Sequence, residues 1–285
     1  MNLADLSTIQ NLLAKTGFSF QKSLGQNFLI DPGVCPAMAE AACDERTGVL
    51  EIGPGIGVLT AELAKRAKKV VAVELDRRLA RILPVTLAEC DNVEILYDDV
   101  MKLDLKALLS ERFSDCERVA VCANLPYYLT SPIVMKLLEE RLPLYAITVM
   151  VQKEAAERLC AEIGTREAGA VSVAVSYYAE PHILFTVDRT SFLPPPKVDS
   201  AVIQLTVRPE PPVTVRDEKQ FFQFVKCCFA QRRKTLVNTV SNTAGLGKER
   251  IKAALADLDL PDTVRSEQLT LEQLARLCDI LYEEH

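Results

Sequence analysis

The sequence predicts an α/β protein: a mostly parallel seven-stranded sheet flanked by helices, then a small all-helical domain. Three features of the chain point there. From Val49 onward, short apolar runs alternate with helical stretches, the pattern of a parallel sheet covered on both faces. The first run breaks into a glycine loop, Gly53-Pro-Gly-Ile-Gly57, and then into a helix. Beyond Arg208-Pro-Glu-Pro-Pro212 everything reads as helix, and three prolines in five residues cannot continue a strand.

The elements follow in order. Thr8–Lys15 is a short amphipathic segment, followed by Gly17 and a basic loop. Lys22-Ser-Leu-Gly-Gln-Asn-Phe-Leu29 is too polar and too glycine-interrupted for a core strand. Asp31-Pro32 suits a helix start, with Asp at N-cap and Pro at N1, and that helix extends through Cys43. Strands are expected at Val49–Ile52, Lys69–Glu74, Val93–Tyr97, Arg118–Ala123 and Tyr145–Val151. Helices lie between and after them at Leu59–Lys65, Leu79–Leu87, Leu103–Leu109, Pro132–Glu140 and Lys153–Ile163. Two more strands, Ala170–Ala179 and Ser200–Val207, flank the loop Phe192-Leu-Pro-Pro-Pro-Lys-Val-Asp199. Such a late pair places one antiparallel strand at the end of the sheet. Helices then follow at Lys219–Phe229, Arg232–Val240, Lys248–Leu255 and Thr270–Tyr282. The expected division is a domain over 1–208, including an N-terminal basic extension over 1–30, and a helical domain over 213–285.

Composition narrows the chemistry. With 285 residues, 49% hydrophobic and 25% charged, one large and one small domain can be packed. No apolar run approaches the ~20 residues of a membrane helix. No basic segment followed by an apolar core opens the chain, so no signal peptide is expected and a cytoplasmic location follows. The nine cysteines are odd in number, and none forms a C-x-x-C pair. They read as small buried hydrophobes in a reducing compartment, and no metal site is expected. Only two histidines are present, which leaves a Ser/His or Cys/His device little to be built from. Net charge is −6. Lys219 to Lys252, however, holds eight Lys/Arg against one acid, a local +7. By itself a basic run is more often a solvated helix face than a partner site.

The glycine loop sits where a strand opens onto a helix, the usual seat of a nucleotide-like ligand. Glu74 ends the next strand, close to where a ribose-binding carboxylate belongs. Asp76, two residues on, shares its face if the strand persists. Asp99 follows the third strand and could accept from an adenine amine. Asn124-Leu-Pro-Tyr127 follows the fourth strand. An aromatic exocyclic amine is a poor nucleophile because its lone pair is delocalised. Two acceptors, the Asn124 side-chain oxygen and the Leu125 carbonyl, would bind its two hydrogens and favour the pyramidal form. Pro126 would fix the turn that aims that carbonyl, and Tyr127 would stack on the base. Phe192, on its proline-rich loop, offers a second aromatic wall for a base taken out of a stack. With a base-modifying site in place, Lys226, Arg232, Arg233 and Lys234 become candidates for nucleic-acid phosphates.

Glu51-Ile-Gly-Pro-Gly-Ile-Gly57 resembles the first motif of S-adenosylmethionine-dependent methyltransferases rather than that of dehydrogenases. Four segments in order, Lys22–Leu29, Glu51–Gly57, Asn124–Tyr127 and Phe192–Ser200, resemble the KsgA/RsmA-type ribosomal RNA adenine dimethyltransferases. The likeness extends from about residue 15 through the helical tail with Gln231-Arg-Arg-Lys234. It implies a Rossmann-like seven-stranded methyltransferase sheet. It implies S-adenosylmethionine bound by Asn27, Leu29, Gly53, Gly55, Glu74, Asp99 and Asn124, with Lys22 joining the C-terminal cations on RNA. The implied reaction is N6-dimethylation of two adjacent adenosines in the 3′-terminal hairpin of small-subunit rRNA during ribosome assembly. The implied protein is a monomer with neither metal nor membrane. Two features depart from the pattern: Asp98-Asp99 offers two carboxylates where one is needed, and the net charge is negative. The chain also resembles the Erm-type enzymes acting on 23S rRNA and the mitochondrial transcription-factor-B proteins of the same superfamily. The Pro-Pro-Pro-Lys-Val-Asp-Ser run and the full helical tail favour the KsgA type. A mainly non-catalytic assembly factor and an NAD-dependent dehydrogenase are the competing classes; the latter leaves Asn124–Tyr127 unexplained.

Overall fold

The computed structural model describes residues 7–8 and 27–283. The expected Thr8–Lys15 segment, apart from Thr8, and Lys22 lie outside the described residues. The chain divides into two compact units. One holds the described residues up to Ala156 together with Pro181–Val207; the other holds Glu157–Glu180 and the chain from Arg208 onward.

In the first unit seven strands form one sheet. They are β1 (Thr47–Ile52), β2 (Lys69–Glu74), β3 (Val93–Tyr97), β4 (Arg118–Asn124), β5 (Ala146–Gln152), β6 (Ala179–Val187) and β7 (Ser200–Val207). Their spatial order is β3-β2-β1-β4-β5-β7-β6. The first five pair in parallel; β7 runs antiparallel to β5, Gln152 facing Ser200. Every residue of β1 is buried, as expected of a central strand covered on both faces. Helix α1 (Val34–Ala42) contributes Met38 and Ala39, both fully enclosed, to a core shared with Val49, Cys122 and Met150. Burying one such methionine contributes about 1.5–3 kcal/mol. Helix α2 (Val58–Ala64) follows the glycine loop. Strand order reverses direction between β1 and β4, so the loops after these two strands flank one crevice, the usual ligand position in open α/β sheets.

The structure corrects four expectations. Helix α1 starts at Val34, not at Pro32: Asp31 Oδ1 accepts from Gly33 N–H at 2.9 Å, and that turn precedes the helix. Helix α6 (Lys153–Leu159) ends before Ile163. Arg232, Arg233 and Lys234 lie in a turn, because α9 (Leu236–Ala244) begins after the Thr235 cap. The largest difference is Ala170–Tyr178, expected as a strand and found as helix α7. Ala-Val-Ser-Val-Ala-Val-Ser-Tyr-Tyr mimics a two-residue period, but six of the nine side chains are buried, on several faces. The edge strand is instead Ala179–Val187, where its Pro181 is tolerated; Ser200–Val207, antiparallel to β5, lies one place in from that edge.

The second unit is helical. It includes α7, α8 (Glu218–Phe229), α9, α10 (Lys248–Ala256) and α11 (Leu271–Leu281). Tyr177, Tyr178, Phe221 and Phe222 cluster with ring centroids 5.1–5.7 Å apart. Both tyrosine hydroxyls donate to Glu218, at 3.3 and 2.6 Å.

Candidate active site

One cavity in the first unit opens at the carboxyl ends of β1, β2 and β4. Asn27, Leu29, Gly53, Gly55, Glu74, Asp99, Asn124, Leu125, Pro126, Tyr127 and Phe192 all line it. The sequence-derived candidates for cofactor and target base are thus brought together from segments up to 165 residues apart. Lys226, Arg232, Arg233 and Lys234 do not line it; they belong to the second unit.

The loop after β1 has its shape because of its glycines. Gly53 has φ +71 and nothing within 4 Å of where a Cβ would stand. That open space is the cavity itself. Gly57 has φ +91, and a Cβ there would come within 3.0 Å of Leu87 Cδ2. Gly53 N–H donates to Val73 O at 2.9 Å, tying the loop to β2. Phe28 lies against Gly55 and is held by a two-residue antiparallel ribbon, Phe28 opposite Leu193 and Leu29 opposite Phe192.

Glu74 is 6% exposed. Its Oε2 accepts from Gly55 N–H at 3.2 Å and its Oε1 from Asp76 N–H at 2.7 Å. Burial pushes its carboxyl above the ordinary range, and these backbone donors work against the shift. Asp76 does not share the cavity, because β2 stops at Glu74. It turns away to accept from Arg78 N–H and pairs with that guanidinium at 2.5 Å. Asp98 and Asp99 both line the cavity; Asp99 Oδ1 accepts from Met101 N–H at 3.0 Å, and Lys102 lies 3.4 Å from Oδ2.

Glu51 is the least ordinary group present. It is buried in β1 and lines the cavity, and its Oε2 is enclosed without a hydrogen-bond partner. Loss of hydration pushes its carboxyl up to about 8, with Thr60 opposing and Glu74 adding to the shift. An orphaned, enclosed polar atom of this kind calls for a partner.

At the end of β4, Leu125 N–H donates to Met150 O at 3.1 Å, which fixes the turn. Pro126 follows at φ −63, ψ 130, and Tyr127–Leu129 form one turn of 3₁₀ helix. Tyr127 is half-buried, its hydroxyl 2.8 Å from Ser200 Oγ. Phe192 lines the cavity but is only 2% exposed, so the wall it offers is narrow. It sits in the same core as Leu29, Met38 and Met150.

Sequence reasoning passed over other lining residues: Phe28, Met38, Leu75, Val100, Tyr128 and Ile133. Leu75 and Tyr128 are 50% and 55% exposed at the cavity. Their adjacency to Glu74 and Tyr127 was the available signal. The apolar walls carry four carboxyl groups, Glu51, Glu74, Asp98 and Asp99. An apolar cavity carrying several carboxyl groups suits a cationic ligand. Among the described residues no cluster of ligating side chains could hold a metal ion, and no helix is long and apolar enough to cross a membrane.

Comparisons with known proteins match this geometry. The chain is 52% identical over 278 residues to a ribosomal RNA small subunit methyltransferase A of Bacillus licheniformis, covering 96% of this chain and 95% of that one. It is 50% identical over 284 residues to the protein of that description in Geobacillus thermodenitrificans, covering 98% and 97%. The crystal structure of a dimethyladenosine transferase from Plasmodium falciparum superposes with a TM-score of 0.73 at 26% identity, covering 88% of this chain and 95% of that chain. That of the 23S rRNA methyltransferase ErmE superposes at 0.68 and 28%, covering 90% and 100%. The family model for ribosomal RNA adenine dimethylase matches residues 17–283, a span that takes in the glycine loop, the Asn124–Tyr127 turn and the helical tail alike, and the chain belongs to that family.

Proposed function

We propose that this enzyme uses S-adenosylmethionine to dimethylate N6 of two adjacent adenosines in the 3′-terminal hairpin of small-subunit rRNA during ribosome assembly. The observation that carries the proposal is the shared cavity: Asn124 and Leu125 line the same space as Gly53, Glu51 and Glu74. Relatives about half identical over nearly their whole length bear small-subunit names, which favours that RNA over the large-subunit substrate in the name of ErmE.

The residues fit the cofactor. Glu74 would hold the ribose hydroxyls and Asp99 the adenine amine, and Asn27, Leu29, Gly53 and Gly55, which line the same cavity, would enclose the remainder. Glu51 supplies an unpartnered oxygen for a cationic group. When bound, S-adenosylmethionine supplies an electrophilic sulfonium methyl. The Asn124 side-chain oxygen and the Leu125 carbonyl would accept the two N6 hydrogens and so orient the amine's lone pair for methylation. Pro126 holds the turn, while Tyr127 and Phe192 bound the base. No general base would be required of these residues, since a methylated ammonium would give up its proton to solvent.

A methyltransferase domain within 1–208 and a helical domain over 213–285, the latter sharing its compact unit with Glu157–Glu180, belong to the same proposal, with RNA phosphates met by Lys22, Lys226, Arg232, Arg233 and Lys234. So do a monomeric state, a cytoplasmic location and independence of metal. Arg232 already donates to Arg166 O at 2.6 Å, which leaves Arg233 and Lys234 as the freer cations of that turn.

The test is incubation with labelled cofactor and each purified ribosomal subunit, followed by mass spectrometry of the rRNA. Two dimethylated adenosines in the small subunit are expected. Transfer only to the large subunit, or none, would overturn the proposal.

A further inference from the structure

Asn124-Leu-Pro-Tyr127 is followed by a second tyrosine, Tyr128, whose setting differs from that of Tyr127. A 3₁₀ turn advances about 120° per residue, so consecutive side chains diverge. Tyr127 turns inward, its hydroxyl 2.8 Å from Ser200 Oγ. Tyr128 lines the same cavity yet is 55% exposed. Among the described residues, no hydrogen bond, ring contact or cation engages it. Its backbone is not loose: Leu129 N–H closes the turn onto Pro126 O at 3.0 Å, and α5 (Thr130–Glu139) follows at once. The ring is therefore an aromatic face on a rigid stem at the mouth of the cavity.

We infer that Tyr128 is a positioning residue that stacks on the nucleotide next to the adenosine being methylated. This rests on the rRNA-methylation reading above. A base drawn into the cavity exposes the face of its neighbour. Single-stranded bases unstacked in this way are held on aromatic side chains. Two tyrosines diverging from one turn supply both places, Tyr127 within and Tyr128 on the rim. The arrangement suits a substrate with two adjacent target bases, because one stays held outside while the other reacts.

The test compares Tyr128→Ala and Tyr128→Phe with the wild type on small-subunit particles. Measurements are steady-state kinetics, the number of methyl groups on each adenosine by mass spectrometry, and cofactor affinity by calorimetry. Tyr128→Ala should raise KM roughly 10-fold, the loss of one base–aromatic stack. Its kcat and cofactor affinity should change little, and rRNA carrying methyls on only one adenosine should accumulate. Tyr128→Phe should behave as wild type, because the ring and not the hydroxyl stacks. An unchanged KM in Tyr128→Ala would overturn the inference. So would an equal loss in Tyr128→Phe, or a loss confined to cofactor affinity. Absence of transfer by the wild type would instead remove the underlying reading, a separate result.

Discussion

Replacing Glu51 with glutamine is expected to stabilise the ligand-free protein and to flatten its pH dependence. The carboxyl is 1% exposed, and its Oε2 has no partner. Burial raises it from the ordinary 4.5 to about 8. In the unfolded chain it returns to its ordinary value. Between those two values the folded protein keeps a proton that the unfolded chain has released. Stability from this group is therefore fully present below about pH 4.5 and is lost as pH rises through about 8. The loss is about 1.4 kcal/mol for each pH unit in the window, which reaches about 3 kcal/mol by pH 7. Glutamine fills the same volume with no charge to desolvate, so Glu51→Gln should recover a gain of that order at neutral pH. Urea midpoints for both proteins across pH 5–9, without cofactor, measure it. Parallel pH curves, or a less stable variant at pH 7.5, would refute the reasoning. The same substitution should weaken S-adenosylmethionine binding, because a cationic ligand favours the carboxylate. Calorimetry in buffers of different ionisation enthalpy should then show proton release for the wild type and little for Glu51→Gln.

Three further outcomes are expected. Asn124→Ala should lower kcat at least 100-fold, as for loss of one preorganised acceptor at the reacting group; single-turnover methylation measures it. Gly57→Ala places a side chain at φ +91 with Leu87 Cδ2 at 3.0 Å. It should destabilise by about 1–2 kcal/mol from the left-handed backbone alone, read as a lower melting temperature. Tyr127→Phe removes the 2.8 Å bond to Ser200, costing about 1 kcal/mol of stability. It should leave methyl transfer largely intact, since the ring remains; a melt and an activity assay on one preparation separate the two effects.

Much of the site was legible because its chemistry is local in sequence. The loop from Gly53 to Gly57 needs positive φ at three places, and only glycine supplies that cheaply. Asn124–Tyr127 carries its own geometry through Pro126. Glu74 was legible as a strand end. Its bonds to Gly55 and Asp76 were not, because they depend on how two loops approach each other. Ala170–Tyr178 misled because small and β-branched residues alternate, and a helix enclosed on several faces shows no polar stripe. The edge strand Ala179–Val187 was hidden by Pro181 and by a burial pattern mostly exposed between its buried ends. The exposure of Tyr128 follows from one 3₁₀ turn, a feature too short to show in periodicity.

The link between Tyr127 and Ser200 has a consequence for synthesis. Those residues are 73 positions apart, and Leu29 meets Phe192 across 163. During translation the glycine loop and the Asn124 turn leave the exit tunnel long before their far wall exists. A nascent chain that has reached only β5 holds most of the chemical groups but lacks the hydroxyl that seats the tyrosine and the strand that backs it. Contacts of such long sequence separation form late. A chain interrupted before Phe192 therefore carries the glycine loop and the Asn124 turn without the ribbon partner of Leu29 and without the Ser200 hydroxyl.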